Sequence, residues 1–319
     1  MGDFPNAVDI VEEGPREGFQ IEPGPISTSA KIELIDALSQ TGVKTIQVAS
    51  FVSPKAVPGW ADADDVVRGF TPKADVAYTA IWFNEKGLER ALAHRDRLAN
   101  TASISLSASE AFSLKNLRRD RQGQIQAMLA TVAAHTQASI PINRLIVMAA
   151  FGCNYSGEVS VDTVMSTIHD GLAIAAESGV KIETVGLGDS MGWCTPIRVQ
   201  RVVSSIRDRW PALSVSLHLH DTRGLGIASA YEGLRLGVTK FDAAVGGLGG
   251  CPFAGQPGAP GNIATEELVL LCEELGIDTG IDLDALIDVA RRAERIVGHK
   301  LPSAALRSGS LRKLRMSQP

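Results

Sequence analysis

Residues 144–189 read RLIVMAAFGCNYSGEVSVDTVMSTIHDGLAIAAESGVKIETVGLGD and contain two apolar runs with a helical pattern between them. The apolar runs, at 144–152 and 182–189, have the length and the β-branched content of buried strands. The helical pattern at 160–179 begins at a serine and ends at a glycine, which are common residues at helix ends. This order predicts one strand–helix–strand unit with parallel strands.

The same alternation recurs along the whole chain. Strand-like runs lie at 8–14, 44–50, 75–82, 102–109, 144–152, 182–189, 213–221 and 241–250, with helical patterns between them. Eight such units in 319 residues predict an α/β fold, a single closed (β/α)8 TIM barrel. A doubly wound open sheet is the alternative, but no GxGxxG motif follows the first strand-like run.

The last part of the chain extends beyond these eight units. A helical segment at about 281–298 predicts an additional C-terminal helix that packs beyond the barrel. No linker or low-complexity stretch divides the sequence. We therefore expect one barrel domain at 1–300 and a C-terminal tail at 301–319.

Composition argues against several classes of function. The formal net charge of −5 gives no electrostatic basis for binding nucleic acid or an anionic membrane. No apolar run approaches the length of a membrane span, and the opening MGDFPNAVDI lacks the layout of a signal peptide. The four cysteines, at 153, 194, 251 and 272, have no metal-finger spacing, which favours a reducing, cytoplasmic setting.

Two histidines end the seventh strand-like run, in SLHLHD (216–221). On a strand, His218 and His220 point to the same side, and the active sites of barrels lie at the C-terminal strand ends. The neighbouring eighth and first runs lead to Asn262 and Glu17. Two imidazoles, a carboxylate and an amide oxygen suit Mg²⁺ or Mn²⁺ better than structural zinc. The alternative for each histidine is an ordinary hydrogen-bonded polar residue.

Five motifs together resemble the hydroxymethylglutaryl-CoA lyase family. They are VEEGPREGFQIE (11–22), IQVASFVSPKAVP (46–58), GLGDSMG (186–192), LHLHDTRGLG (217–226) and GGLGGCPFA…GNIATEELV (246–269). They follow one another in the family's order over nearly the whole chain. The resemblance implies a metal-dependent barrel lyase that cleaves a 3-hydroxy-3-methyl-acyl-CoA to acetyl-CoA and a keto acid. It also implies an acyl-CoA substrate as partner and a homodimer or higher homo-oligomer.

The resemblance also implies roles for individual residues. The metal ligands would be Glu17, His218, His220 and Asn262; the catalytic residues Arg16, Asp189, His218 and Cys251; the substrate-binding residues Arg16, Gln47 and Ser50. Arg16 would stabilise the enolate oxygen, Asp189 with His218 would take the hydroxyl proton, and Cys251 would return a proton. The alternatives are a salt-bridged Arg16, a helix-capping Asp189 and a merely buried Cys251. The other three cysteines are expected to be structural.

Three departures from the family pattern leave the substrate open. Glu17 stands where the family has aspartate, Gln47 stands where it has glutamate, and the loop at 251–262 is two residues longer. A longer ligand arm and a less acidic site mouth would suit the more compact citramalyl-CoA, which is the alternative substrate. A Claisen-condensing synthase and a non-catalytic barrel that binds metal or acyl-CoA are also open as functions. Cys251 argues against the synthase, and the intact motifs argue against the non-catalytic barrel.

Overall fold

The computed structural model describes residues 4–55, 57–250 and 259–317. Its strands are β1 (Asp9–Glu12), β2 (Thr45–Ser50), β3 (Ala77–Ile81), β4 (Ala102–Ser107), β5 (Ile142–Met148), β6 (Thr184–Gly188), β7 (Ser214–His218) and β8 (Lys240–Ala243). They follow one another in a sheet of order β3-β2-β1-β8-β7-β6-β5-β4. Each predicted run contains one of these strands, and the (β/α)8 barrel prediction is confirmed.

Helices follow every strand. They are α1 (Phe19–Ile21), α2 (Thr28–Leu38), α3 (Ala63–Gly69), α4 (Glu85–Leu92), α5 (Glu110–Leu117), α6 (Arg121–Gln137), α7 (Val161–Glu177), α8 (Pro196–Arg209), α9 (Gly226–Arg235), α10 (Thr265–Leu275), α11 (Leu283–Val297), α12 (Ala305–Ser308) and α13 (Leu311–Ser317). The predicted additional C-terminal helix is α11. Among the described helices, none combines the length and the apolar composition that a membrane crossing needs.

The chain forms two compact units. The central unit comprises residues 100–241, with short segments from 4–5 and 259, and the terminal unit comprises residues 6–99, 242–250 and 260–317. In the central unit, β4 to β7 pair in parallel, and Gly188 lies opposite His218 in the register of β6 and β7. That register brings the C-terminal ends of these two strands level with each other.

Residues 144–189 fold as their pattern predicts. The N-cap of helix α7 is Ser160, whose hydroxyl oxygen accepts a hydrogen bond from the Thr163 backbone N–H at 3.1 Å. The helix ends at Glu177, two residues before Gly179, which has a left-handed φ of +67°. Strand β6, which follows, is buried along its whole length, as expected for a parallel strand covered on both faces.

In the terminal unit, β1 pairs with β2 and β2 with β3, all in parallel. The register of β2 against β3 shifts between Gln47 and Ala49. Such a bulge changes the direction of a side chain near the end of a strand. Here it lies at a residue predicted to contact substrate.

The eighth strand is shorter than predicted. It ends at Ala243, whereas the sequence predicts a strand to residue 250. Val245–Gly247 forms a 3₁₀ turn in which Gly246 and Gly247 have φ values of +69° and +73°. Left-handed glycines cannot continue a strand, so the apolar pattern overestimated its length.

Candidate active site

The two histidines of the seventh run lie together in the central unit. His218 is the last residue of β7, and its Nε2 atom lies 3.2 Å from Nε2 of His220. Leu219, between them, is fully buried. The predicted same-side arrangement is therefore present.

The spacing of the two ring nitrogens fits a metal ion. Adjacent ligands of an octahedral cation with bonds of about 2.1 Å lie about 3 Å apart. The His218 and His220 nitrogens, 3.2 Å apart, have nearly this spacing. Neutral imidazole nitrogens are also suitable ligands for a divalent cation.

Asp189 follows β6 in the same unit and is buried. Its backbone N–H donates to the carbonyl oxygen of His218 at 2.9 Å, and its Oδ1 accepts from the Trp193 backbone N–H at 2.6 Å. The helix-cap alternative is wrong, because the N-cap of α8 is Thr195. Within the described chain, Oδ2 of Asp189 is buried and accepts no hydrogen bond.

Glu17 and Asn262 meet in the terminal unit. The Asn262 amide Nδ2 donates to Glu17 Oε1 and to the Leu248 carbonyl oxygen, both at 3.0 Å. Its Oδ1 is buried and has no hydrogen-bond partner among the described residues. A buried amide oxygen without a partner is costly unless a ligand occupies it, so Asn262 fits a cation ligand. The longer arm of Glu17 still reaches this asparagine.

Two glycines allow the backbone to approach this pair closely. A Cβ on Gly249 would lie 2.6 Å from Asn262 Nδ2 and 3.0 Å from Glu17 Cγ. A Cβ on Gly261 would lie 1.5 Å from the Gly249 carbonyl oxygen. The backbone on either side of the segment 250–260 therefore leaves no room for a side chain at Gly249 or Gly261.

Arg16 lies in the turn Gly14–Gly18, directly after β1. Its Nη2 contacts Glu13 Oε2 at 2.8 Å, its Nη1 contacts Glu17 Oε2 at 3.0 Å, and its Nε donates to Gln47 Oε1. The alternative interpretation, a salt-bridged arginine, describes these contacts correctly. It does not compete with the catalytic role, because ion pairs fix the direction of a guanidinium group.

Gln47 lies beside a buried carboxylate. Its Nε2 donates to Oε1 of Glu13 at 3.2 Å, and Glu13 is only 5% exposed. The expectation of a less acidic mouth, which compares Gln47 with a glutamate at the same position, stays a prediction. Sequence reasoning missed Glu13; the available signal was a pair of adjacent glutamates at the end of an apolar strand.

Two other buried carboxyl groups support the end of β8. Burial raises the pKa of Glu12 to about 8 and that of Glu266 to about 7, although hydrogen bonds to each oppose the rise. Glu12 accepts from the backbone N–H groups of Gly14 at 2.7 Å and Val245 at 2.9 Å, and from the Thr265 hydroxyl at 2.5 Å. Sequence reasoning gave neither residue a role.

The remaining predicted residues are Ser50 and the four cysteines. Ser50 is fully buried at the end of β2, and its hydroxyl has no hydrogen-bond partner in the described part of the chain. Cys251 lies outside the described residues. Cys153, Cys194 and Cys272 are buried free thiols. Burial, with the nearby Asp189 carboxylate as a second cause, raises the pKa of the Cys194 thiol.

Comparisons with known proteins match nearly the whole chain. The family model described as HMGL-like matches residues 7–292. Hydroxymethylglutaryl-CoA lyase YngG of Bacillus subtilis is 38% identical over 303 residues, which cover 95% of this chain and 97% of that protein.

Solved structures are similar over the same extent. A crystal structure of the B. subtilis HMG-CoA lyase has a TM-score of 0.87 at 35% identity, covering 96% of this chain and 98% of that one. An HMG-CoA lyase from A. baumannii, in complex with coenzyme A and 3-methylmalate, has a TM-score of 0.84 at 38% identity and covers 98% of both chains. The similarity thus extends over nearly the whole molecule.

Proposed function

The chain belongs to the HMGL-like family, and on that basis we propose that it is a carbon–carbon lyase that cleaves hydroxymethylglutaryl-CoA to acetyl-CoA and acetoacetate. The observation that carries the proposal is the arrangement in the terminal unit. There, Glu17 lies between the cation Arg16 and the buried amide of Asn262, whose oxygen has no hydrogen-bond partner among the described residues.

A divalent cation, Mg²⁺ or Mn²⁺, completes the proposal. Its ligands would be Glu17, His218, His220 and Asn262, a mixed nitrogen and oxygen set that suits an octahedral ion. The spacing of the two imidazole nitrogens and the buried amide oxygen support this assignment. When bound, such an ion lowers the pKa of a coordinated substrate hydroxyl group.

The chain's own side chains would then carry the proton and charge transfers. Asp189 with His218 takes the proton of the tertiary hydroxyl, and the carbon–carbon bond breaks toward the thioester. Arg16, already oriented by its ion pairs, stabilises the negative charge on the enolate oxygen. Cys251 donates the proton that completes acetyl-CoA, and Gln47 and Ser50 contact the acyl group.

Citramalyl-CoA is the alternative substrate, on the two premises of a longer ligand arm at Glu17 and a less acidic mouth at Gln47. The Glu13 carboxylate beside Gln47 keeps a negative charge near that mouth, which favours hydroxymethylglutaryl-CoA over the alternative. A condensing synthase and a non-catalytic barrel have no observation in their favour.

The setting of the enzyme is part of the same proposal. Residues 1–300 would form the catalytic domain and 301–319 a tail, in a homodimer or higher homo-oligomer. The buried free thiols of Cys153, Cys194 and Cys272 support a reducing, cytoplasmic environment.

The decisive experiment is a product assay with two substrates. The Mg²⁺- or Mn²⁺-loaded protein is incubated separately with hydroxymethylglutaryl-CoA and citramalyl-CoA, and acetoacetate, pyruvate and acetyl-CoA are measured. We expect acetoacetate from the first substrate and little pyruvate from the second. His220→Ala should lower the rate at least about 100-fold, whereas the exposed His169→Ala serves as the matched control. Pyruvate as the main product would overturn the substrate assignment.

A further inference from the structure

Glu13 is a buried carboxylate with no role in the proposed chemistry. We propose that Glu13 is a positioning residue, which orients the Arg16 guanidinium through a closed ring of hydrogen bonds shared with Gln47. The inference rests on the proposed function, because Arg16 is the group that stabilises the enolate. It adds a residue on which the rate of that reaction depends through Arg16.

The ring consists of three side-chain contacts in the terminal unit. Arg16 Nε donates to Gln47 Oε1, Gln47 Nε2 donates to Glu13 Oε1 at 3.2 Å, and Arg16 Nη2 donates to Glu13 Oε2 at 2.8 Å. Both oxygens of Glu13 are therefore used, one for each of the other two members. The guanidinium is held along one edge, through Nε and Nη2.

The remaining terminal nitrogen is held from another direction. Nη1 contacts Glu17 Oε2 at 3.0 Å, so that each guanidinium nitrogen has an acidic or amide oxygen beside it. Glu17 alone would leave the planar group free to turn about that single contact. The ring with Glu13 and Gln47 fixes the plane of the guanidinium group, which a single hydrogen bond cannot do.

The backbone of Arg16 is fixed independently of its side chain. Trp60, fully buried, donates from its indole Nε1 to the Arg16 carbonyl oxygen at 3.1 Å. The Glu17 backbone N–H donates to the Glu13 carbonyl oxygen at 2.8 Å, which closes the turn. Removing only the Glu13 carboxylate should therefore misdirect the Arg16 side chain and leave the turn in place.

The residue types at 13 and 47 are matched in polarity. The amide of Gln47 presents its oxygen to the cation and its N–H to the carboxylate, which is the only favourable orientation. A second carboxylate at 47 would place two negative charges about 3 Å apart in a buried site, whereas an amide at 13 would remove the ion pair. Exchanging the two types, acid at 47 and amide at 13, keeps both the charge and the hydrogen-bonding capacity.

The test is a four-protein cycle with hydroxymethylglutaryl-CoA as substrate. We compare the wild type with Glu13→Gln, Gln47→Glu and the exchanged double variant E13Q/Q47E. Each single substitution should lower kcat about 100-fold, because a misdirected Arg16 stabilises the negative charge on the enolate less well. In Glu13→Gln, which removes no proposed contact with substrate, KM should stay within about 3-fold. The double variant should recover at least about 10-fold over either single one. A merely structural role would allow rescue of stability, but it would not confine the loss in Glu13→Gln to kcat.

Two matched controls test whether the location of the substituted residue matters, and not only the change in net charge. Asp75→Asn removes an exposed carboxylate of the terminal unit that is paired with Lys44, and Gln40→Glu adds one on an exposed glutamine. Both should retain kcat within about 2-fold. Losses in the two single variants that simply multiply in the double variant would overturn the proposal, as would a loss confined to KM in Glu13→Gln.

The same cycle is measured by urea unfolding, which does not depend on turnover. Both single substitutions should lower the unfolding midpoint, and the exchange should restore it in part. If the wild type releases no acetoacetate, the proposed function fails, and the unfolding cycle alone decides whether Glu13 and Gln47 are coupled. Additive midpoint shifts would then overturn the positioning role.

Discussion

Asn262 is held in a single amide orientation, because both contacts of its Nδ2 are to oxygen atoms. This explains how the chain aims a neutral oxygen at a site that already contains a carboxylate. An aspartate would have the same shape but no N–H group. It would place an oxygen against Glu17 Oε1 and the Leu248 carbonyl, where it meets only repulsion.

We therefore expect Asn262→Asp to weaken divalent cation binding, although it adds a negative charge. Removing one hydrogen-bonded group beside a metal typically lowers affinity 10- to 100-fold, and we expect about 100-fold here. Titration calorimetry with Mn²⁺ measures the change directly. Asn143→Asp, at an exposed position of β5, is the control and should bind as the wild type does. Equal or tighter binding by Asn262→Asp would contradict the assigned orientation.

Glu12 gives the molecule a pH dependence whose sign follows from its raised pKa. Burial raises the pKa to about 8 from an ordinary value of 4.5, so between these values the folded chain keeps a proton that the unfolded chain has lost. This stabilisation is complete below about pH 4.5 and disappears as the pH rises through about 8.

We expect the free energy of unfolding to fall from about pH 5 to 8, with Glu12 contributing up to about 1.4 kcal/mol per pH unit. Glu12→Gln keeps the acceptor for the two backbone N–H groups and remains neutral, so it should flatten this slope. Urea unfolding at several pH values measures it. Glu89→Gln, at an exposed position of α4, should leave the slope unchanged. An unchanged slope in Glu12→Gln would show that Glu12 is ionised in the folded chain.

At the scale of elements, the close passage of Gly249 against its neighbours sets a steric limit. Gly249 has φ +89°, and an added Cβ would meet Asn262 and Glu17. Gly276, which ends α10, has φ +72° but no atom within 4 Å of its added Cβ. Both glycines have a left-handed backbone, but only Gly249 has other atoms close to the position of an added Cβ.

We expect Gly276→Ala to cost about 1 kcal/mol of unfolding free energy, the ordinary cost of a left-handed residue. Gly249→Ala should cost clearly more and should also weaken Mn²⁺ binding, because Asn262 and Glu17 must move. Urea unfolding and calorimetry of both variants separate the two effects. Equal losses in the two variants, with Mn²⁺ binding intact, would mean that the Gly249 contact has no influence on the ligands.

The elements themselves could largely be predicted, whereas the polar network could not. Apolar runs and a cap residue such as Ser160 predict where strands and helices lie, because these signals are local. The eighth strand was overestimated because its glycines adopt a left-handed turn that an apolar pattern does not reveal. The Glu13–Gln47 contact joins residues 34 positions apart and depends on a bulge, so no local pattern indicates it.

At the scale of the whole molecule, a bound cation should stabilise the fold. A ligand that binds only the folded chain, at 100 times its dissociation constant, adds about 2.7 kcal/mol to the free energy of unfolding. We expect this gain on adding Mn²⁺ and its loss on chelation, measured by thermal or urea unfolding. His220→Ala should abolish the gain and His169→Ala should keep it. A gain of equal size in His220→Ala would remove that histidine from the ligand set.

The contacts of Glu12 also dictate an order of events during synthesis. Its partners Val245 and Thr265 lie 233 and 253 residues further along the chain. At about 5–20 residues per second, the ribosome needs roughly 10–50 s to make them after β1 emerges. The terminal unit therefore has high contact order and completes its folding last. Until then β1 is exposed to solvent without its partners. A stalled chain would present β1 to chaperones with its carboxyl group still ionised.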